Sequence, residues 1–153
     1  MTIFTTVNMW HKTTKIKALL DCGATYSFID PWTIKSLSMG THPLPHPLII
    51  KNVDGTINWD GTITHYCNLW VCQGNQTEKL GFYMANLGWD QIILGNPWFW
   101  LYNPDFDWST NTLKVLRYCR NVRPTWVKFN SKDTKESEWC SRFWVLSPKR
   151  GLR

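Results

Sequence analysis

Apolar and polar side chains alternate along much of residues 1–118, which is the pattern of strands that bury one face. Gly, Asn and Pro residues separate the alternating stretches, as they do in the turns of β proteins. We predict strands at about residues 5–10, 14–20, 46–53, 56–72, 77–85, 91–94 and 112–118. The pattern therefore predicts a mainly β domain.

Short helices are predicted at two places between the strands. Asp30 is a suitable N-cap, Pro31 fits the first helical position, and Gly40 follows the point where this helix would end. A second helix is predicted at 98–102, because the pair Asn103-Pro104 ends it. One or two short helices thus interrupt a fold made mainly of strands.

The pair Asp54-Gly55 lies between two alternating stretches and predicts a β-hairpin with its turn at this point. Glycine adopts backbone angles that other residues avoid, so Gly55 suits a mobile hairpin tip. From its local sequence alone, the hairpin could equally be an ordinary exposed turn.

The tetrapeptide Asp21-Cys22-Gly23-Ala24 follows an apolar run that ends at Leu20. A strand that stops there presents the carboxylate of Asp21 at its end. Gly23 permits a tight turn and the close approach of a ligand, and the small Ala24 leaves room beside the carboxylate. This combination indicates a catalytic aspartate on a tight loop.

A second apolar stretch, 91–94, also ends in a glycine, Gly95, and leads into Asn96-Pro97-Trp98-Phe99. Further along stands Asn103-Pro104-Asp105-Phe106-Asp107-Trp108. In this order and spacing, the three motifs resemble the retropepsins, and among them the aspartic proteases of gypsy-like LTR retrotransposon polyproteins. The resemblance covers roughly residues 5–118. It implies a mainly β, closed β-barrel of the acid protease type, with a flap hairpin and one or two short helices.

The resemblance also implies a role for each motif. Asp21 would be the catalytic residue, and Cys22, Ile93, Leu94 and Gly95 would support the active-site loop. An extended peptide substrate would add as a strand between this loop and the flap. The residues implied to bind it are Gly23, Ala24, Val53, Asp54, Gly55 and Thr56. For Ile93 and Leu94, the alternative that they are simple core residues of a strand is favoured.

Aspartic proteolysis needs two carboxylates, whereas the chain holds one Asp-x-Gly-Ala motif. Retropepsins obtain the second carboxylate as homodimers, so the resemblance implies that Asp21 pairs with Asp21 of a second copy. As in aspartic proteases generally, the ionised member would activate a water molecule while the protonated member donates to the scissile carbonyl. We expect no cofactor, no metal and no covalent intermediate.

Cys22 stands where the family usually has Thr or Ser. That hydroxyl ties the two catalytic loops of the dimer together, and a thiol is a weaker donor and acceptor. The resemblance therefore implies a less rigid dimer. A nucleophilic Cys22 is the rival hypothesis, but no His lies nearby in the sequence.

Charged residues are distributed unevenly along the chain, which indicates a boundary within it but does not change the predicted class of protein. Of its 17 Lys and Arg residues, 11 lie in 114–153, together with 3 of the 11 Asp and Glu residues. We predict a protease domain over 1–118 and a basic linker, or the start of a following polyprotein segment, over 119–153. A basic tail could bind nucleic acid in a salt-dependent way, but we favour a solvated connector. The beginning and end of the sequence fit a fragment of a larger reading frame.

The remaining composition argues against several classes of protein. Five Cys residues without a Cys-x-x-Cys pair, and four scattered His residues, argue against a disulfide framework and a metal site. The sequence lacks a signal-peptide profile and any apolar run near the roughly 18 residues of a membrane span. We therefore expect an intracellular protein, cytoplasmic or in retroelement particles, without membrane contact.

The leading hypothesis is a homodimeric aspartic endopeptidase that processes a retroelement polyprotein. The alternative is a catalytically degenerate retropepsin fold that serves as a protein- or nucleic-acid-binding module. The combination of Asp21, Gly23 and Ala24 favours the enzyme. The 11 Trp residues raise carbohydrate binding as a third class, but Trp98, Trp100 and Trp108 are expected to fill the core.

Overall fold

The computed structural model describes residues 1–9, 12–51, 54–73, 76–115, 125–128 and 145–148. The strands in these residues are β1 (Thr2–Met9), β2 (Lys12–Leu20), β3 (Phe28–Ile29), β4 (His42–Lys51), β5 (Ile57–Gln73), β6 (Gln76–Met84), β7 (Ile92–Leu94), β8 (Asp105–Asp107), β9 (Thr112–Val115), β10 (Thr125–Lys128) and β11 (Val145–Pro148). The helices are α1 (Pro31–Ser36) and α2 (Asn96–Tyr102). The predicted mainly β fold with short helices is confirmed.

Six strands pair in a closed circuit. The order of neighbours is β1-β2-β7-β3-β6-β5, and β5 returns to β1 through three residue pairs centred on Val7 and Val71. Outside this circuit, β4 pairs with the N-terminal part of β5, and β11 pairs with β4. A sheet that closes on itself has the connectivity of a barrel. The β4–β5 hairpin extends from it, which agrees with the predicted retropepsin-like fold.

Alternation along β2 and β7 divides their side chains between two cores, because successive side chains of a strand point to opposite faces. Leu20 and Leu94 belong to the main core, whereas Leu19 and Ile93 belong to a second core cluster. The second core cluster consists of Leu19, Ala24, Phe28, Ile50, Ile63, Ala85, Leu87 and Ile93. It joins the ends of β2 and β7 to the β4–β5 hairpin.

Helix α1 begins as the sequence predicts. The Trp32 N–H donates to Asp30 Oδ1 at 2.8 Å, and Pro31 occupies the first helical position. The other oxygen, Asp30 Oδ2, accepts the Leu87 N–H at 3.1 Å. One carboxylate therefore caps the helix and also holds the loop that precedes β7.

Helix α2 separates its aromatic side chains by face. Trp98 and Tyr102, four residues apart, share the buried face and are fully buried, with ring centroids 5.2 Å apart. Trp100 lies between them in sequence and is 76% exposed, because a two-residue step turns away from that face. Trp108 is also exposed, beside the turn after β8, where it stacks on Phe106. The prediction of core positions is therefore wrong for Trp100 and Trp108.

Two strands lie in the segment predicted as a linker. β10 pairs with β9, which pairs on its other side with β8, in a separate three-stranded sheet. β11 pairs with β4 of the large sheet. The boundary near residue 118 stays a prediction, but two parts of the tail pair with the body of the chain. No helix in the described part of the chain is both long and apolar enough to cross a membrane.

Candidate active site

The loop of residues 21–24 turns directly off the end of β2. The Asp21 N–H donates to Leu94 O at 3.1 Å, and the Ala24 N–H donates to Asp21 O at 3.1 Å. β2 and β7 are parallel and pair as far as Leu20 and Leu94. The ends of two paired strands therefore position the backbone of Asp21.

The Asp21 carboxylate is held inside its own loop. The Gly23 N–H donates to Asp21 Oδ1 at 2.9 Å. Burial raises the pKa of Asp21 above its ordinary value of 3.8, against the opposing effect of the hydrogen bonds from Gly23 and Ala24. A carboxyl group that keeps its proton to higher pH suits chemistry in which one of two acids stays protonated.

Gly95 supports this loop from the following turn. Its N–H donates to Ser27 Oγ at 3.2 Å, and the next residue, Asn96, donates its N–H to Ala24 O at 2.9 Å. A Cβ at Gly95 would lie 2.7 Å from Ala24 O and would also collide with the carbonyl oxygen of Tyr26. A side chain at this position would therefore push apart the two segments that form the site.

The structure corrects the expected role of Ala24, which was to line a substrate cleft. Ala24 is fully buried in the second core cluster, where Leu19 and Ile93 also lie. Because the chain turns back over β2 and β7, the small side chain packs beneath the loop. Ile93 adjoins Ala24 in this cluster, whereas Leu94 lies in the main core and acts on the loop through its carbonyl group.

The predicted flap residues lie at the tip of the β4–β5 hairpin, except that Val53 is outside the described residues. Asp54 Oδ1 accepts the Thr56 hydroxyl at 2.6 Å and the Thr56 N–H at 2.9 Å, which lowers the pKa of Asp54. Gly55 has a φ of +81°, a conformation that favours glycine. Asp54, Gly55 and Thr56 are all exposed.

The β4–β5 hairpin and the Asp21 loop meet through the second core cluster. Ile50 of β4 and Ile63 of β5 pack in the same cluster as Ala24 and Ile93. The body of the hairpin thus lies beside the loop that holds Asp21, while its tip stays in solvent. Cys22 is exposed on the loop next to Asp21.

Sequence reasoning missed Ser27 and Gln91. The buried hydroxyl of Ser27 accepts the Gly95 N–H, and Gln91 Oε1 accepts the Lys17 N–H at 2.8 Å. The sequence signal for these two residues is weak, because each is simply a polar residue directly before an apolar strand. Within the described ranges, no group of three or more His, Cys, Asp or Glu side chains could hold a metal ion.

The closed circuit of strands, the flap-like hairpin and the Asp21 loop together define a retropepsin-like domain, and comparison with known proteins agrees. A sequence model of the PEG10/RTL1 protease domain matches residues 17–122, which is more than half of the chain. The chain therefore belongs to this retropepsin-like family of gypsy-derived genes.

A solved structure shows the same fold. The chain is similar to the retroviral protease-like domain of Ddi1 from Leishmania major, with a TM-score of 0.51 and 13% sequence identity. The match covers 87% of this chain and 96% of that one. At this identity the likeness concerns the fold alone, and it confirms the predicted fold class.

Proposed function

We propose that the chain is an aspartic endopeptidase that acts as a homodimer, with the Asp21 residues of two copies forming the catalytic pair. The observation that most supports this is the state of the Asp21 carboxyl group. It lies at the ends of two paired strands, its Oδ1 accepts the Gly23 N–H, and burial raises its pKa. Membership of a protease-domain family supports the class of reaction.

Two carboxyl groups that close cannot both ionise without strong repulsion, so the pair holds one shared proton. The ionised member takes a proton from a water molecule, whose oxygen attacks the scissile carbonyl carbon. The protonated member donates to the carbonyl oxygen. The tetrahedral species then collapses with cleavage of the C–N bond. The departing nitrogen takes the proton that the first carboxyl group received from water, and a hydroxyl of the tetrahedral species returns a proton to the second carboxylate, which restores the pair. The enzyme forms no covalent bond to its substrate.

The substrate in this proposal is an extended polypeptide segment, such as a linker within a retroelement polyprotein. It binds by adding a strand between the catalytic loop and the flap, since main-chain hydrogen bonds recognise any extended sequence. Gly23 and the flap residues Asp54, Gly55 and Thr56 supply main-chain contacts. Ala24 is left out of this set because it is buried.

The test is cleavage of an unstructured polypeptide from acidic to neutral pH, with the native chain and with Asp21→Asn at several protein concentrations. We expect activity only in the native chain, and a rate that rises more steeply than linearly with concentration, because the active species is a dimer. Both proteins must first be shown to be folded. If a native sample shown to be folded and dimeric does not cleave, the result contradicts the proposal and supports a degenerate binding module.

A further inference from the structure

The outer edge of the β4–β5 hairpin is occupied by the chain's own tail. β11 pairs antiparallel with β4, matching Val145 with Lys51, Leu146 with Ile50, Ser147 with Ile49 and Pro148 with Leu48. Among the described strands, β4 otherwise pairs with β5 alone. Without β11, residues 48–51 would present unpaired backbone groups at a sheet edge.

This edge lies next to the candidate active site. Ile50 belongs to the second core cluster and Leu48 packs against it. Ala24 of the catalytic loop and Ile93 beneath that loop lie in the same cluster. A strand that pairs with residues 48–51 therefore runs beside the part of the hairpin that is packed onto the Asp21 loop.

The sequence of β4 favours this stretch for strand pairing at the outer edge. Pro43, Pro45 and Pro47 lack the N–H group that a sheet ladder needs, and such residues belong on edge strands. Residues 48–51 carry four successive N–H groups and contain no proline. They are thus the longest proline-free stretch of β4, and β11 pairs with this stretch.

We propose that residues 48–51 form the edge on which an extended peptide docks, and that the tail segment Val145–Pro148 is a tethered occupant that competes with it. The identification of the docking peptide as a substrate rests on the proposed protease function. A tethered strand acts at a high effective concentration, so a free peptide must displace it. The apparent affinity for the free peptide falls in proportion to the fraction of molecules whose edge is open.

The experiment uses the full chain in the Asp21→Asn background, so that bound peptide is not cut. The variant Val145→Pro/Leu146→Pro removes two successive N–H groups, one of which points to β4 because successive amides face opposite edges. The probe is a labelled synthetic peptide with the sequence of residues 143–150, and its affinity is measured by fluorescence anisotropy. Hydrogen exchange of the amides of residues 48–51 is measured in the same samples.

We expect the double proline variant to bind the peptide about tenfold more tightly than the protein with an unchanged tail. This factor corresponds to a tail that occupies the edge in about nine-tenths of the molecules. Its amides at residues 48–51 should exchange faster, while those of β2 and β7 stay protected. The matched control is Val127→Pro in β10, which pairs with β9 instead of β4. This control should leave both the peptide affinity and the exchange at residues 48–51 unchanged.

Unchanged peptide affinity in the double proline variant overturns the proposal, even if its amides exchange faster, because the tail then blocks no peptide. Unchanged exchange at residues 48–51 overturns it too. Neither measurement requires peptide-bond cleavage. The two proposals can therefore fail independently. Competition by the tail can be refuted in a protein that cleaves peptides, and it can be established in a protein that does not.

Discussion

The Asp21 loop and the tip of the β4–β5 hairpin contain the same local turn, but the pKa of the aspartate shifts in opposite directions. In each turn, an aspartate Oδ1 accepts the N–H of the residue two positions later, at 2.9 Å in both cases. The pKa of Asp21 is raised, whereas the pKa of Asp54 is lowered. The turn itself therefore does not decide which aspartate can hold a proton.

Burial is the difference between the two turns. The hydrogen bonds favour the ionised form of both carboxyl groups, but Asp21 is also partly buried where β2 and β7 end. Asp107, which is also partly accessible to solvent, behaves like Asp54. Hydrogen bonds led by that from the Ser109 hydroxyl, at 2.6 Å, lower the pKa of Asp107 to about 2. The tertiary position thus overrides a local motif that by itself produces a low pKa.

The largest expected contrast is in cleavage by Asp21→Asn and Asp54→Asn. If only the carboxyl group of Asp21 takes part in proton transfer, Asp21→Asn should lower the rate by about a thousandfold. Asp54→Asn should keep most of the activity, because the amide oxygen still accepts the Thr56 hydrogen bonds. Steady-state kinetics on one peptide substrate measures both. Equal losses would mean that the flap carboxylate also takes part in the chemistry.

Alanine substitutions at Gly95, beside the Asp21 loop, and at Gly55, at the hairpin tip, test how tightly each region is packed. Gly95→Ala should lower the free energy of unfolding by about 3 kcal/mol, because the new Cβ meets backbone atoms of the catalytic loop. Gly55→Ala should cost about 1 kcal/mol, since it has open space and only its positive φ is unfavourable.

Urea unfolding measures both changes, and Gly40→Ala is the control. Gly40 has no positive φ, and nothing lies within 4 Å of an added Cβ, so no loss is expected there. If Gly95→Ala were as stable as Gly40→Ala, the result would contradict the close packing of Gly95 against the backbone of residues 24–26.

The pH dependence of stability should have opposite signs at the two kinds of aspartate. Folded Asp21 holds its proton more tightly than unfolded Asp21, so stability falls as pH rises from 3.8 through its raised pKa. Asp21→Asn should therefore stabilise the monomer at neutral pH, and this gain should vanish below pH 3.8.

Asp107→Asn should have the opposite effect and lower the stability of the protein at neutral pH. Its lowered pKa contributes stability above the ordinary value of 3.8, and this stability is lost as pH falls through about 2. Thermal unfolding at several pH values, at protein concentrations too low for dimerisation, tests both variants. A loss of stability at neutral pH in Asp21→Asn would show that hydrogen bonding outweighs burial at this site.

The smallest expected effect is confined to the tip of the β4–β5 hairpin. Thr56→Val removes the hydroxyl donor to Asp54 and keeps the backbone N–H. The pKa of Asp54 should rise towards 3.8 without a measurable change in unfolding midpoint, since the tip is exposed. Carboxyl NMR titration follows Asp54 and Asp21 in one sample. An unchanged pKa of Asp54 would contradict this hydrogen bond.

Local patterns in the sequence are enough to predict most of the elements and the class of the protein. Alternation predicts most of the strands, Asp30 and Pro31 mark the start of α1, and the three motifs identify a retropepsin-like domain. These features depend on neighbours close in the chain, such as a cap and the N–H two residues later, or on the period of a strand.

Which of these residues are buried, and which segments pair, depends on the tertiary structure. It packs Ala24 beneath its loop, exposes Trp100 and Trp108, and places the tail strand Val145–Pro148 on the edge of β4. It also makes Asp21 differ from Asp54, although their local turns are alike. Burial and strand pairing depend on segments far apart in the chain, and local patterns do not specify which distant segments meet.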